Sequence, residues 1–180
     1  MRILRRLVRE QTGFSLAELL VVCAILGLML TGLVALQMEG QTSYLIGAGR
    51  VEAQQNGRVA LELMARELRS AQTVTAIPSA TNMTFLDENG STVQYSLSGT
   101  TLNRTVGGVT TPLIGGVKTF TLTFLSAYDG TTGASTTATT AGNVRLVRVQ
   151  LVTGTEQSVA NYSASNQTAT AETMVRLRNM

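Results

Sequence analysis

The sequence predicts an α+β protein, a long N-terminal α-helix packed on an antiparallel β-sheet. Three observations predict it. Phe14 to Leu36 is an apolar run of 23 residues with one ionisable group, Glu18. Gln37 to Gln72 continues the run with an apolar stripe at helical spacing. Beyond it, the period changes to two, in short segments separated by Gly, Asn and Asp turns.

The apolar run fixes the first element. At about 1.5 Å per residue, a helix of that length is roughly 34 Å long, against about 30 Å for the hydrocarbon of a bilayer. A soluble core helix of this length would show a polar stripe, and none is present, so residues 14–36 read as a transmembrane helix. A cleaved secretory signal has a shorter apolar stretch, about 7–15 residues, ending in small residues, and the run has no such end. Ahead of it lies a basic leader, residues 1–13, with Arg2, Arg5, Arg6 and Arg9 against Glu10. Positive charge flanking a span stays cytoplasmic, so the chain beyond Leu36 is expected on the far side of the membrane. Arg5-Arg6 is a poor twin-arginine match.

Glu18 is the anomaly of the span. A carboxylate in a bilayer costs a few kcal/mol and is usually paired. One reading is an interfacial glutamate that reaches up to water. The other needs a cation, and the span contains no Lys or Arg. A free amine made by cutting the chain before Phe14 would supply one. Further along, Cys23, Gly27 and Thr31 lie four apart. That spacing gives either a small-residue edge for close helix packing in lipid or a coincidence in an apolar run. Gly27 and Gly32 weaken the helix relative to alanine.

Composition narrows the chemistry. The 14 basic and 11 acidic residues leave +3, and the leader alone carries +3. The chain after Gly13 is therefore formally neutral, with ten residues of each sign. The basic balance of the whole is no nucleic-acid signature, and no basic cluster with interleaved aromatics is visible, so no specific nucleic acid is expected. The only cysteine, Cys23, is in the span, so no intramolecular disulfide can form. There is no histidine, the commonest general base and metal ligand. No nucleophile–base pair, metal-spaced cluster or phosphate loop occurs. No catalytic residue, metal or cofactor is expected, and the protein is not read as an enzyme.

Residues 37–72 read as an amphipathic continuation of the helix. Gly40, Gly47, Gly49 and Gly57 soften its middle, where a kink or frayed turn is expected. Leu61, Met64, Ala65, Leu68 and Ala71 form one face suited to packing on a sheet, and Glu62–Arg66 is a favourable i, i+4 pair. Pro78 is expected to end the helical region. Residues 73–180 then read as an antiparallel β domain. Strands are expected at 83–86, 92–97, 101–106, 117–125, 144–152 and 173–178. Gly108 to Gly116 reads as a turn, and residues 126–143 and 154–170 as Ser/Thr-rich loops.

A basic leader, then Gly13-Phe14-Ser15-Leu16-Ala17-Glu18-Leu19-Leu20 before a long apolar helix, resembles the signal of type IV prepilins and type II secretion pseudopilins. The resemblance implies a pilin-like fold. It implies cleavage between Gly13 and Phe14 by a prepilin peptidase, with N-methylation of Phe14 to N-methylphenylalanine. It assigns Glu18 to a salt bridge with the terminal amine of a neighbouring subunit during assembly. An α-amine with a pKa of about 7.7–8.0 is largely protonated at neutral pH, and opposite charges attract strongly in low dielectric. In related filaments the helix partly melts within its apolar half, and Gly27 and Gly32 are the candidate points here.

Residues 54–72, with Arg58, Ala60, Leu61, Met64, Ala65, Arg66, Glu67, Leu68 and Arg69, resemble a segment of PilW-type minor pilins; J-type minor pseudopilins have a looser version. The implied function is a structural minor pilin that helps prime or cap a type IV pilus. The alternative is a J-type minor pseudopilin of a type II secretion system, and a third reading is a membrane-anchored periplasmic enzyme or sensor. The implied partners are prepilin peptidase, other major and minor pilins, the inner-membrane assembly platform and membrane lipid. The implied location is the bacterial inner membrane, single-pass, before incorporation into the fibre.

Overall fold

The computed structural model describes residues 13–155 and 167–178. The leader arginines Arg2, Arg5, Arg6 and Arg9 lie outside the described residues, as does most of the second expected loop. The protein is α+β: one long N-terminal helix, α1 (Leu16–Ser70), followed by antiparallel strands. The chain divides into two units, the first ending at Ser43 and the second starting at Tyr44.

Within the first unit, α1 starts at Leu16, its first bond running from Leu19 N–H to Ser15 carbonyl at 3.1 Å. Every residue from Gly13 to Gln41 is exposed. The most apolar 18-residue window of α1 has a mean hydropathy of 2.8 and no buried residue. The two threonine hydroxyls bond back along the helix, Thr31 to Leu28 carbonyl at 2.8 Å and Thr42 to Met38 carbonyl at 2.9 Å. Neither needs water, which suits an apolar solvent. The helix is unbroken through Gly27, Gly32 and Gly40, and Gly47, Gly49 and Gly57 of the second unit are helical too, so the expected kink or frayed turn does not occur.

In the second unit, α1 buries Gly49, Ala53, Gly57, Ala60, Leu61, Met64, Ala65 and Leu68. The stripe expected from spacing is therefore the packing face. Beyond it lie two sheets. The first comprises β1 (Thr73–Ser79), β2 (Asn82–Leu86), β3 (Thr92–Ser98), β4 (Thr101–Val106) and β5 (Val109–Ile114), in that spatial order. The second comprises β6 (Val117–Tyr128), β7 (Ser135–Thr137), β8 (Leu146–Gly154) and β9 (Thr168–Arg176), in the order β7-β6-β8-β9. All pairings are antiparallel. The inward set alternates as expected: Val93 and Tyr95 on β3, Phe120, Leu122 and Phe124 on β6, Val147, Val149 and Leu151 on β8. These join Met64, Leu68 and Phe85 in one apolar core, where Phe85 and Tyr95 stack at 6.1 Å between ring centroids.

Four expectations need correction. Gly108 to Gly116 is not a turn but mostly strand β5. Its partner β4 is reached through Gly107 and Gly108, with φ of 56° and 85°. Two consecutive positive-φ residues make the tight hairpin connection, and Pro112 is tolerated because β5 is an edge strand. Pro78 does not end the helix: α1 stops at Ser70 and Pro78 lies in edge strand β1, where the register shifts between Ala76 and Ser79. Residues 126–143 are not all loop. β6 runs on to Tyr128 and pairs with β7, because backbone ladders do not require apolar side chains. The last strand begins at Thr168, not at residue 173, since small Thr and Ala residues pair along β8 as well as Val and Leu do.

Candidate functional site

The candidate site of the sequence is the N-terminal end of α1. Gly13, Phe14 and Ser15 precede the helix, all exposed, with Phe14 79 % accessible. The Gly13–Phe14 bond thus lies in non-helical backbone, free of the hydrogen-bond ladder that would keep it from an extended groove. Glu18 is in the first turn of α1. The unpaired N–H groups there carry a partial positive charge that favours a carboxylate. Among the described residues Glu18 makes no ion pair. Cys23, Gly27 and Thr31 follow on α1, all exposed, and nothing lies within 4 Å of where a Cβ on Gly27 would sit. Cys23 is a free thiol. Among the described residues, no second α-helix occurs to meet that edge.

A second constellation joins the helix to the first sheet, and sequence reasoning missed it. The Glu67 carboxylate accepts from the Tyr95 hydroxyl at 2.6 Å and from Arg104 Nη2 at 2.8 Å and Nε at 3.1 Å. The Tyr95 side chain is wholly buried. Burial first, then the bond to Glu67, pushes its hydroxyl far above the ordinary phenol range, so it stays a donor. The same carboxylate holds the Arg104 guanidinium above its usual value. The cluster clamps α1 to β3 and β4 of the first sheet. Its signal was present in Arg104, which shares the inward face of β4 with Leu102. The expected Glu62–Arg66 pair is replaced by Arg58 Nε to Glu62 Oε1 at 2.7 Å, because Arg58 stands four residues earlier on the same exposed face.

A third feature explains Gly49 and Gly57 as packing residues rather than softeners of the helix. A Cβ on Gly57 would lie 3.2 Å from Thr153 Oγ1, and one on Gly49 would lie 3.2 Å from Thr155 Cβ. Between them, the buried Thr153 hydroxyl donates to Ala53 carbonyl at 2.6 Å. The glycines therefore let α1 approach the end of β8 closely.

Among the described residues, no group of three or more His, Cys, Asp or Glu is placed to hold a metal. Residues 8–34 match the family described as the prokaryotic N-terminal methylation motif. No curated protein matches the chain. The motif supports a pilin- or pseudopilin-type subunit, a structural rather than an enzymatic class, and implies processing by a prepilin peptidase and assembly with other pilins. With the exposed apolar helix, it is consistent with a single-pass inner-membrane anchor.

Proposed function

We propose that the chain is a minor pilin of the PilW type, made as a prepilin and built at low copy into a type IV pilus, where it helps prime or cap assembly. The prepilin peptidase cuts between Gly13 and Phe14, and the new Phe14 amine is methylated. Residues 14–36 span the inner membrane, with the leader arginines Arg2, Arg5, Arg6 and Arg9 cytoplasmic and the β domain periplasmic. In the fibre, Glu18 pairs with the Phe14 amine of a neighbouring subunit and sets the axial register. The Cys23–Gly27–Thr31 edge admits a neighbouring span.

The observation that carries this reading is the methylation motif at residues 8–34. It covers the basic leader's end, the non-helical Gly13–Phe14 bond and the single acid on the first turn of α1, in the apolar part of the helix that is exposed throughout. The intact mass of protein from native membranes tests it. Loss of residues 1–13 and gain of one methyl group is expected, and a full-length mass would sink the reading. Co-purification with secretion-system pseudopilins instead of pilus subunits would move the assignment to a J-type pseudopilin.

A further inference from the structure

Five arginines from three separate stretches of sequence meet on one surface of the second unit. Arg66 and Arg69 come from the last turns of α1, Arg145 from the turn before β8, Arg176 from the end of β9, and Arg178 from just beyond it. They line three open surface depressions of about 430, 580 and 450 Å³. The first two share Arg69 and Arg178, and the last two share Arg176 and Leu177, so the three form one track. Among the described residues, Glu88 is the one acid lining it, at the first depression. Tyr128, partly exposed, stands at the other end.

Within the described residues, no carboxylate consumes that charge. Among the described residues, none of the five is ion-paired; the carboxylate-bound arginines are Arg58, Arg104 and Arg148. Arg145 donates from Nη1 to Gly142 and Val144 carbonyls at 3.1 and 3.4 Å, which orients the group without neutralising it. Arg66 and Arg69 also offset the carbonyl end of α1, but Arg145, Arg176 and Arg178 have no such role. Half of the ten basic residues after Gly13 thus lie on one track of a formally neutral chain. Guanidinium groups suit phosphate oxygens, and a row of them fits a linear polyanion with closely spaced charges. An exposed aromatic ring at the end of the row offers a face for a base.

We propose that this track binds the phosphodiester backbone of a nucleic acid strand without sequence preference. The proposal rests on the arginine arrangement and is independent of the N-terminal processing.

Full chain purified from native membranes, in zwitterionic detergent, is titrated into a fluorescein-labelled random 30-nucleotide strand and into its duplex. Five phosphate contacts predict that raising salt from 50 to 200 mM weakens binding about 500-fold for the duplex and about 100-fold for the single strand. The double substitution Arg69→Glu with Arg178→Glu should reduce the logarithmic salt slope by about two and weaken binding at least tenfold. The pair Arg50→Glu with Lys118→Glu makes the same change in net charge on exposed residues away from the track. It should leave binding within twofold. Melting temperatures of both variants confirm that each is folded. Equal loss from both pairs would overturn the proposal, showing only overall charge at work. Displacement of the strand by polyglutamate at equal charge would also overturn it, in favour of an acidic polypeptide partner. A retained leader would refute the processing reading and leave this one standing.

Discussion

Replacing Glu67 by Leu tests whether the clamp between α1 and the first sheet is structural. The substitution keeps much of the side-chain volume and removes the acceptor. Tyr95 is wholly buried, so its hydroxyl is left without a partner. An orphaned buried donor costs about 1–3 kcal/mol. Arg104, 29 % exposed, turns to water and loses two or three charge-assisted bonds whose net worth is about 1 kcal/mol at such exposure. The expected loss is about 3 kcal/mol, which for a unit of this size lowers the melting temperature by roughly 10 °C. Tyr95→Phe removes donor and orphan together and should cost only about 1 kcal/mol. The double variant should therefore be less destabilised than the two single losses predict, with a coupling of about 1–2 kcal/mol. Thermal melting of the full chain in detergent, followed by near-ultraviolet circular dichroism of the tyrosines, reads all three. A loss below about 0.5 kcal/mol for Glu67→Leu, the range of ordinary surface changes, would refute the clamp.

The same tyrosine sets a pH limit. Its folded pKa is raised above the ordinary value of about 10, so its contribution is fully present below that pH and falls as pH rises above it, by up to about 1.4 kcal/mol per unit. The stability difference between the native chain and Tyr95→Phe should therefore narrow above pH 10 in a pH series of melts, and a constant difference contradicts the assignment. Gly57→Val should destabilise the second unit by about 1–3 kcal/mol, because a Cβ there would lie only 3.2 Å from Thr153 Oγ1 and the branch adds bulk; an unchanged melting temperature would show that α1 can step back from β8. Thr153→Val removes a hydroxyl bond at near-constant volume and should cost about 1 kcal/mol in the same melt. Glu18→Ala should leave membrane insertion intact and stop recovery in sheared fibres; normal recovery removes the proposed register role.

What was legible followed period and charge. The helix, its packing face and the inward residues of β3, β6 and β8 were visible because apolar spacing alone determines them. What was not legible depended on partners distant in sequence. Gly49 and Gly57 look like helix-weakening residues until Thr153 and Thr155 are seen against them. Glu67 matches a helix motif but gives no sign that its acceptors serve Tyr95 and Arg104, 28 and 37 residues away. β5 and β7 were missed because Thr, Pro, Ser and Gly carry turn preferences, while a neighbouring edge supplies the hydrogen bonds that override them. The arginine track shows no run in sequence, since its members arrive from three separate stretches.

The two ends of α1 differ in what remains unsatisfied, and that difference bears on assembly. From Gly49 onward the helix finds protein: small residues against β8, then Leu61, Met64 and Leu68 in the core. From Gly13 to Gln41 it finds none. A contiguous apolar surface of that extent is stable only in lipid or against other apolar helices. A membrane alone would satisfy the side chains, yet it would leave Glu18 as a charge in or near hydrocarbon, at a cost of a few kcal/mol. On the proposed reading, a bundle of similar helix ends would satisfy both, since each neighbour would bring apolar surface and, after scission before its first mature residue, an ammonium group. The proposed pairing would make the acid a penalty in the waiting state and a stabilising contact in the assembled one, biasing the equilibrium towards the fibre. A neutral Glu18→Gln subunit should then be retained longer in the membrane fraction than the native chain during active assembly. Equal partition of the two between membrane and fibre would mean that apolar packing alone drives the transfer.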